Sequence, residues 1–252
     1  MAILKNGHLR GQVGNLVNRT VGNQQIVQTK PGRKIRQTAL TRAAADDFGY
    51  ASAAGALLRR AFVETHQQLH DDKMHNRLIK HLQRVMRSNP DATIGSNRIE
   101  KGNLNRMVGF QFNSHCHLED YLYIDPTVGI DATQQLAVHF PAFYRHKHLY
   151  IPKDCDHISL QVEAIAFNFD SKNSLSLGLQ EIVLAAYQGD ENRNPEQTLL
   201  FGIPDGNYNC IFVGLCILYT AKTGLRSYIR NSKTLHPAAI IAGFKAEQNL
   251  FT

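Results

Sequence analysis

Ile158-Ser159-Leu160-Gln161-Val162-Glu163-Ala164-Ile165-Ala166-Phe167-Asn168-Phe169 is the stretch on which the fold turns. Its even positions are mostly apolar and its early odd positions polar, the two-residue period of a half-buried strand. Other candidate runs, most of them shorter, flank it at Arg106–Asn113, Gln135–Phe140, His148–Ile151, Gly178–Tyr187, Gln197–Phe201, Asn209–Thr220, Arg226–Ile229 and Ala238–Lys245. Turn-forming clusters separate them: Asp170-Ser171-Lys172-Asn173, Gly189-Asp190-Glu191-Asn192 and Pro204-Asp205-Gly206-Asn207. Short strands at such intervals, with no helical pattern between them, predict an antiparallel β-sandwich over residues 105–252.

Upstream the period changes. Ala44, Phe48, Ala51, Gly55, Leu58 and Phe62 recur at helical spacing and define one face, with Thr38 or Thr41 placed to cap the start. A second helix is predicted from about Asp71 to Arg87, burying Met74, Leu78, Leu82 and Val85. Lys73, Arg77, Lys80, Arg84 and Arg87 fall outside that stripe. Ser88-Asn89-Pro90-Asp91 stops it, so residues 38–90 read as a helical segment, with a polar boundary near Asn89–Leu104.

Residues 1–37 read as an extended, turn-rich basic arm punctuated by Gly7, Gly11, Gly14 and Gly22. Gly22-Asn23 before Gln24–Thr29 suits a hairpin or an edge strand, and Lys30-Pro31-Gly32-Arg33 is a turn that ends it. The arm has too few large apolar side chains to make a core of its own. It must lie on something else: the rest of its own chain, another subunit, or nucleic acid. The expected class is α+β, mainly β: arm, helical segment, sandwich.

Composition bounds the function. The chain has 252 residues and 43% apolar content, enough for a sizeable core, and no run approaches the ~20 apolar residues of a membrane span. The first residues lack the apolar run of a secretory signal, so synthesis in the cytoplasm is expected, with release into an extracellular assembly left open. Cys116, Cys155, Cys210 and Cys216 form no CxxC pair and are expected as reduced thiols. Charge is bipolar. Residues 1–45 hold eight basic and no acidic side chains, whereas residues 111–252 hold ten basic and fourteen acidic. A basic arm of this kind holds phosphates or docks on the acidic half of a neighbouring copy.

Several short motifs, Met1-Ala2-Ile3-Leu4-Lys5-Asn6-Gly7, Gly14-Asn15-Leu16-Val17, Phe48-Gly49-Tyr50-Ala51-Ser52, Met74-His75-Asn76-Arg77-Leu78, Gly109-Phe110-Gln111-Phe112-Asn113 and Pro141-Ala142-Phe143, resemble those of a family of Bacteroidota proteins. The resemblance extends over most of the chain. It implies an order of elements: a basic glycine-rich N-terminus, two helices and a C-terminal β-rich domain. That family has no assigned activity, so the resemblance implies no catalytic residue.

Chemistry is thinly signposted. His66 and His70, four apart, would share a helix face but lack the glutamate of HExxH. His115 and His117 would point the same way on a strand and, with Glu119, His146 or His148, form a weak metal candidate; the alternative is a polar strand end. No GxSxG elbow, thiol-enzyme signature, P-loop or dinucleotide fingerprint appears, and neither an enzyme nor a cofactor is expected. Asp154-Cys155-Asp156 should raise its thiol pKa, and Cys210 and Cys216 read as core. Tyr121, Tyr123, Tyr144 and Tyr150 would line a ligand site if the sandwich binds carbohydrate, or serve packing.

The leading expectation is a structural, self-associating protein whose arm docks on a neighbouring subunit to build a filament, tube or particle. Ile26 and Val27 would supply strand pairing, with Lys30, Arg33, Lys34 and Arg36 setting register. The alternative is non-specific nucleic-acid binding through the same basic residues. The arm has no aromatic residue for base stacking.

Overall fold

Asn6 and Gly7 both take positive φ, 49° and 76°, the backbone of a two-residue hairpin turn whose twist matches its flanking strands. The computed structural model describes residues 2–21, 24–30, 32, 37–131, 135–186, 193–203, 206–224 and 226–245. In it, that turn joins β1 (Ala2–Lys5) to β2 (His8–Val13), which pairs with β3 (Leu16–Val21) and, through it, β4 (Gln24–Thr29). The order is β1-β2-β3-β4, antiparallel throughout. The β2–β3 ladder covers only Gly11–Val13. Beyond it the Gln25 carboxamide accepts from Leu9 N at 3.1 Å and donates to Leu9 O at 2.6 Å, drawing β2 towards β4 and curling the sheet.

Where an extended arm was expected, the strands between Ala2 and Thr29 form a paired meander. Short runs separated by tight turns satisfy one another's backbone groups at little loop-closure cost. The turn signal at Gly22-Asn23 lies outside the described residues, as do Pro31 and Arg33 of the following turn. Contacts divide the chain into two units, Met1–Arg42 and Ala43–Thr252.

The second unit contains most of α1 (Ala39–Ala61), then α2 (Val63–His66) and α3 (Met74–Met86). After 3-10 turns at Leu104–Met107 and Leu118–Asp120 come β5 (Thr127–Ile130), β6 (Gln135–Phe140), β7 (Phe143–Tyr144) and the short α4 (Arg145–His148). The remainder is β8 (His157–Asn168), β9 (Asn173–Ala185), β10 (Arg193–Asn194), β11 (Gln197–Gly202), β12 (Cys210–Thr223), β13 (Arg226–Ile229) and β14 (Ala238–Lys245). The protein is mainly β with antiparallel sheets. A five-stranded sheet runs β13-β12-β8-β9, with β14 also on β12, and a three-stranded sheet runs β11-β6-β5.

The five-stranded sheet is covered on both faces. Ile211, Val213, Leu215, Ile217 and Tyr219 of β12 share one buried cluster with Leu136, Val138 and Phe140 of β6 and Phe201 of β11. The alternate residues Cys210, Phe212, Cys216 and Leu218 share another with Leu58, Phe62, Met74, Leu78, Leu82 and Val85 from the helices. Helical segment and strands thus build one common core.

Several expectations change. Of the face expected for α1, Ala51, Gly55, Leu58 and Phe62 are buried, joined by Ala54 and Leu57, whereas Ala44 and Phe48 nearer its start are exposed. The strand expected at Arg106–Asn113 is a 3-10 turn followed by a segment whose Gly109, Phe110 and Phe112 bond β14 singly. That at His148–Ile151 reduces to one bridge between Leu149 and Leu122. The turn signal Gly189–Asn192, residue Tyr187, and Pro204-Asp205 lie outside the described residues.

Candidate interaction surfaces

The meander pairs its strands and buries almost nothing. Its one buried residue among the described ones is Asn18, while Ile3, Leu4, Val13, Val21 and Val27 are each more than half exposed. Ile26 is half-buried beside Arg19 in the ladder, and Val27 lies opposite Asn18. Both sit on β4, which ends the strand order, as β1 does on the other side. Lys30 follows, donating its N–H to Asn15 O at 2.7 Å and its Nζ to Gln12 Oε1 at 3.5 Å. Arg33, Lys34 and Arg36 lie outside the described residues. Sequence reasoning placed Arg10 and Arg19 on this surface but missed Ile3 and Leu4. Asn6-Gly7 between alternating runs was the signal that would have joined them into one sheet.

On the second unit a groove of about 310 Å³ runs beside β14. Leu118, Leu122, Ile124 and Ile241 form apolar walls, and among the described residues its charged lining is Glu119 and Asp125. Gln111 reaches into this edge, donating to Glu119 Oε2 at 2.8 Å and accepting from Leu118 N at 2.9 Å.

The buried polar groups are fastenings. Glu163 faces Gly214 across the β8–β12 ladder. A Cβ at Gly214 would stand 2.9 Å from the Phe62 ring, so the missing side chain lets α2 settle on the sheet. There Thr65 N and Oγ1 donate to Glu163 Oε2 at 3.2 and 2.6 Å. His236 donates Nε2–H to Thr65 O at 3.0 Å, and its Nδ1 accepts from Asn231 Nδ2 at 3.0 Å, which fixes the neutral tautomer. Burial pushes Glu163 up despite the Thr65 bonds, and lowers His236 to about 4. None of Glu163, Thr65 or His236 lines any of four surface cavities. They tie a turn to a sheet.

Asp71 is a second fastening. Burial alone would raise its carboxyl, but bonds from Arg77, Ser114 N and Lys73 N, with the Arg77 charge, hold it below the usual carboxylate range.

The histidines do not converge. His66 ends α2, and left-handed Gln67 and Gln68 break the helix before His70. Its Nε2 bonds Arg59 O and its Nδ1 accepts from Gln68 N, leaving no nitrogen for a metal. His115 and His117 are exposed in a turn, not on a strand, so the same-face argument does not apply to them. His148 Nδ1 accepts from Tyr144 N at 3.0 Å. Among the described residues no three His, Cys, Asp or Glu side chains are grouped as metal ligands.

All four cysteines are buried and free. Burial first, then the Asp156 charge, raises the Cys155 thiol, and burial raises Cys210 and Cys216 further. Tyr121 and Tyr150 meet edge to face at 5.2 Å, with burial pushing the Tyr121 hydroxyl up to about 12. Tyr144 stands apart, under Lys147 at 5.2 Å. No helix among the described residues is long and apolar enough to cross a membrane. No protein-family model, curated protein or solved structure matches the chain.

Proposed function

We propose that this protein is a structural, self-associating subunit whose N-terminal meander docks on a neighbouring copy to build a filament, tube or particle. The observation that carries this reading is a four-stranded sheet with most of its large apolar side chains exposed and no core of its own. Sheets of this size gain independent stability only when a hydrophobic face is packed, and unpaired edges are templates for another chain. In this reading the meander is the docking arm, and the five- and three-stranded sheets form the sandwich that receives it. Charge favours the groove beside β14 as receiver. Residues 1–45 bring eight cations and no anion, and Glu119 and Asp125 line an otherwise apolar wall.

Phosphate contact is the second reading, favoured by Lys5, Arg10, Arg19 and Lys30 standing on a segment without a single carboxylate.

Light scattering and negative-stain microscopy test the first reading. The full chain should run larger than a monomer, and removal of residues 1–36 should leave a monomer. Val27→Glu in the full chain should weaken assembly without changing the melting of the second unit. Assembly unaltered by both changes would defeat the proposal.

A further inference from the structure

α3 carries a second basic surface, independent of the meander. At 100° per residue, Lys73, Arg77, Lys80, Arg84 and Arg87 fall within an arc of about 80°, opposite buried Met74, Leu78, Leu82 and Val85. They span about 21 Å along the helix at 1.5 Å per residue. The 3-10 turn Leu104–Met107 shares a buried cluster with α3, and Arg106 and neighbouring Lys101 are exposed beside it.

What distinguishes this ridge from an ordinary solvated helix face is the lack of compensation. From residue 73 to residue 118 the only acidic side chains are Asp91 and Glu100, against eight basic ones. Glu100 accepts from the Tyr50 hydroxyl at 3.2 Å. Arg77 is taken by Asp71, and Lys233 takes Asp72. Among the described residues no ion pair uses Lys73, Lys80, Arg84, Arg87, Lys101 or Arg106. Beyond Arg87 the surface continues into a cavity of about 370 Å³ lined by Lys101, Asn103, Asn105 and Lys245, donors of the kind that seat phosphate oxygens.

We infer that this ridge binds the phosphate backbone of duplex nucleic acid without reading its sequence. The chemistry selects among polyanions. Residues 73–118 contain no Tyr or Trp, and Phe110 and Phe112 are buried, so single-strand stacking has no platform here. The apolar stripe of α3 is buried in the core, so the helix has no face to sink into a lipid interface. Four uncompensated cations along the ridge, with Lys101 and Arg106 near the adjoining 3-10 turn, suit a backbone that repeats its charge.

Fluorescence anisotropy of the full chain with labelled random-sequence DNA and RNA duplexes, from 50 to 200 mM KCl, tests this. Engagement of about five phosphates predicts a log–log salt slope of roughly −4.5. The variant Lys80→Gln, Arg84→Gln, Arg87→Gln, Arg106→Gln should bind at least ~10-fold more weakly, with a slope smaller by about 3.6. The charge-conserving variant Lys80→Arg, Arg84→Lys should bind as the parent does. Arg10→Gln, Arg19→Gln, Lys30→Gln on the meander should leave the slope within about 1 of the parent. Binding to only one duplex type names the source and supports the ridge. The inference is overturned if the parent binds neither duplex at 50 mM KCl, or binds phosphatidylserine vesicles instead. It is equally overturned if the neutralised ridge keeps its slope, if only the meander variant loses binding, or if the ridge variant alters oligomeric state while duplex affinity stays.

Discussion

The meander and the five-stranded sheet are built from the same antiparallel ladders, yet one covers its side chains and the other does not. Phe62, Phe212 and Phe167 are wholly buried against the large sheet, while Leu4 and Ile3 stand in solvent on the small one. Backbone hydrogen bonds therefore specify pairing in both, and apolar cover supplies stability to one.

The largest expected effect sharpens that contrast. Phe62→Ala should cost the second unit about 3–5 kcal/mol in urea unfolding, whereas Leu4→Ala should cost under ~0.5 kcal/mol. A Leu4→Ala penalty of similar size would break the comparison, because it would mean the meander is covered in solution.

Acid should act on the covered region next. The His236 imidazole is neutral when folded, with its pKa lowered from 6.5 to about 4, so the unfolded chain binds a proton the native chain refuses. Stability is intact above about 6.5 and should fall by about 3 kcal/mol as pH drops through the folded value near 4. Glu163 works in the opposite sense. Its pKa is raised, so its contribution is present below the ordinary carboxylate value and fades as pH climbs through the raised folded one. Glu163→Gln should flatten that part of the profile, and His236→Gln the acid limb. Melting followed from pH 4 to pH 8 decides both, and limbs unchanged in these variants would refute the assignment.

The smallest effect tests what holds the meander's curl. Gln25→Ala removes both bonds to Leu9 and should cost only about 1 kcal/mol locally, read as faster hydrogen exchange at the Leu9 amide. Exchange unaltered there would show that the β-ladder alone shapes the sheet.

Much of this contrast was written locally. The α3 stripe Met74, Leu78, Leu82 and Val85 is fully buried as its spacing requires. β8 and β12 lie where the alternation and the apolar run place them. The double cover of the large sheet was legible too, since Cys210–Tyr219 contains no polar side chain and a strand with one wet face would alternate. The period-2 reading of Ile158–Phe169 weighed its polar half, Ser159, Gln161 and Glu163, above its apolar half, Ile165, Phe167 and Phe169, and so allowed for one covered face. Glu163 itself could not be anticipated, because its partner Thr65 lies 98 residues away in sequence.

The chain's own text determined its local elements, the basic N-terminus and the two-sided composition of α3, because periodicity, turn chemistry and charge are properties of neighbouring residues. Tertiary structure alone decided that helices and strands share one core, that Gly214 admits α2 onto the sheet, and that Arg77 finds Asp71 while Lys73, Lys80, Arg84 and Arg87 are in no ion pair among the described residues. Those outcomes depend on which distant side chains meet, and a linear pattern does not encode the partner on the far side of a contact.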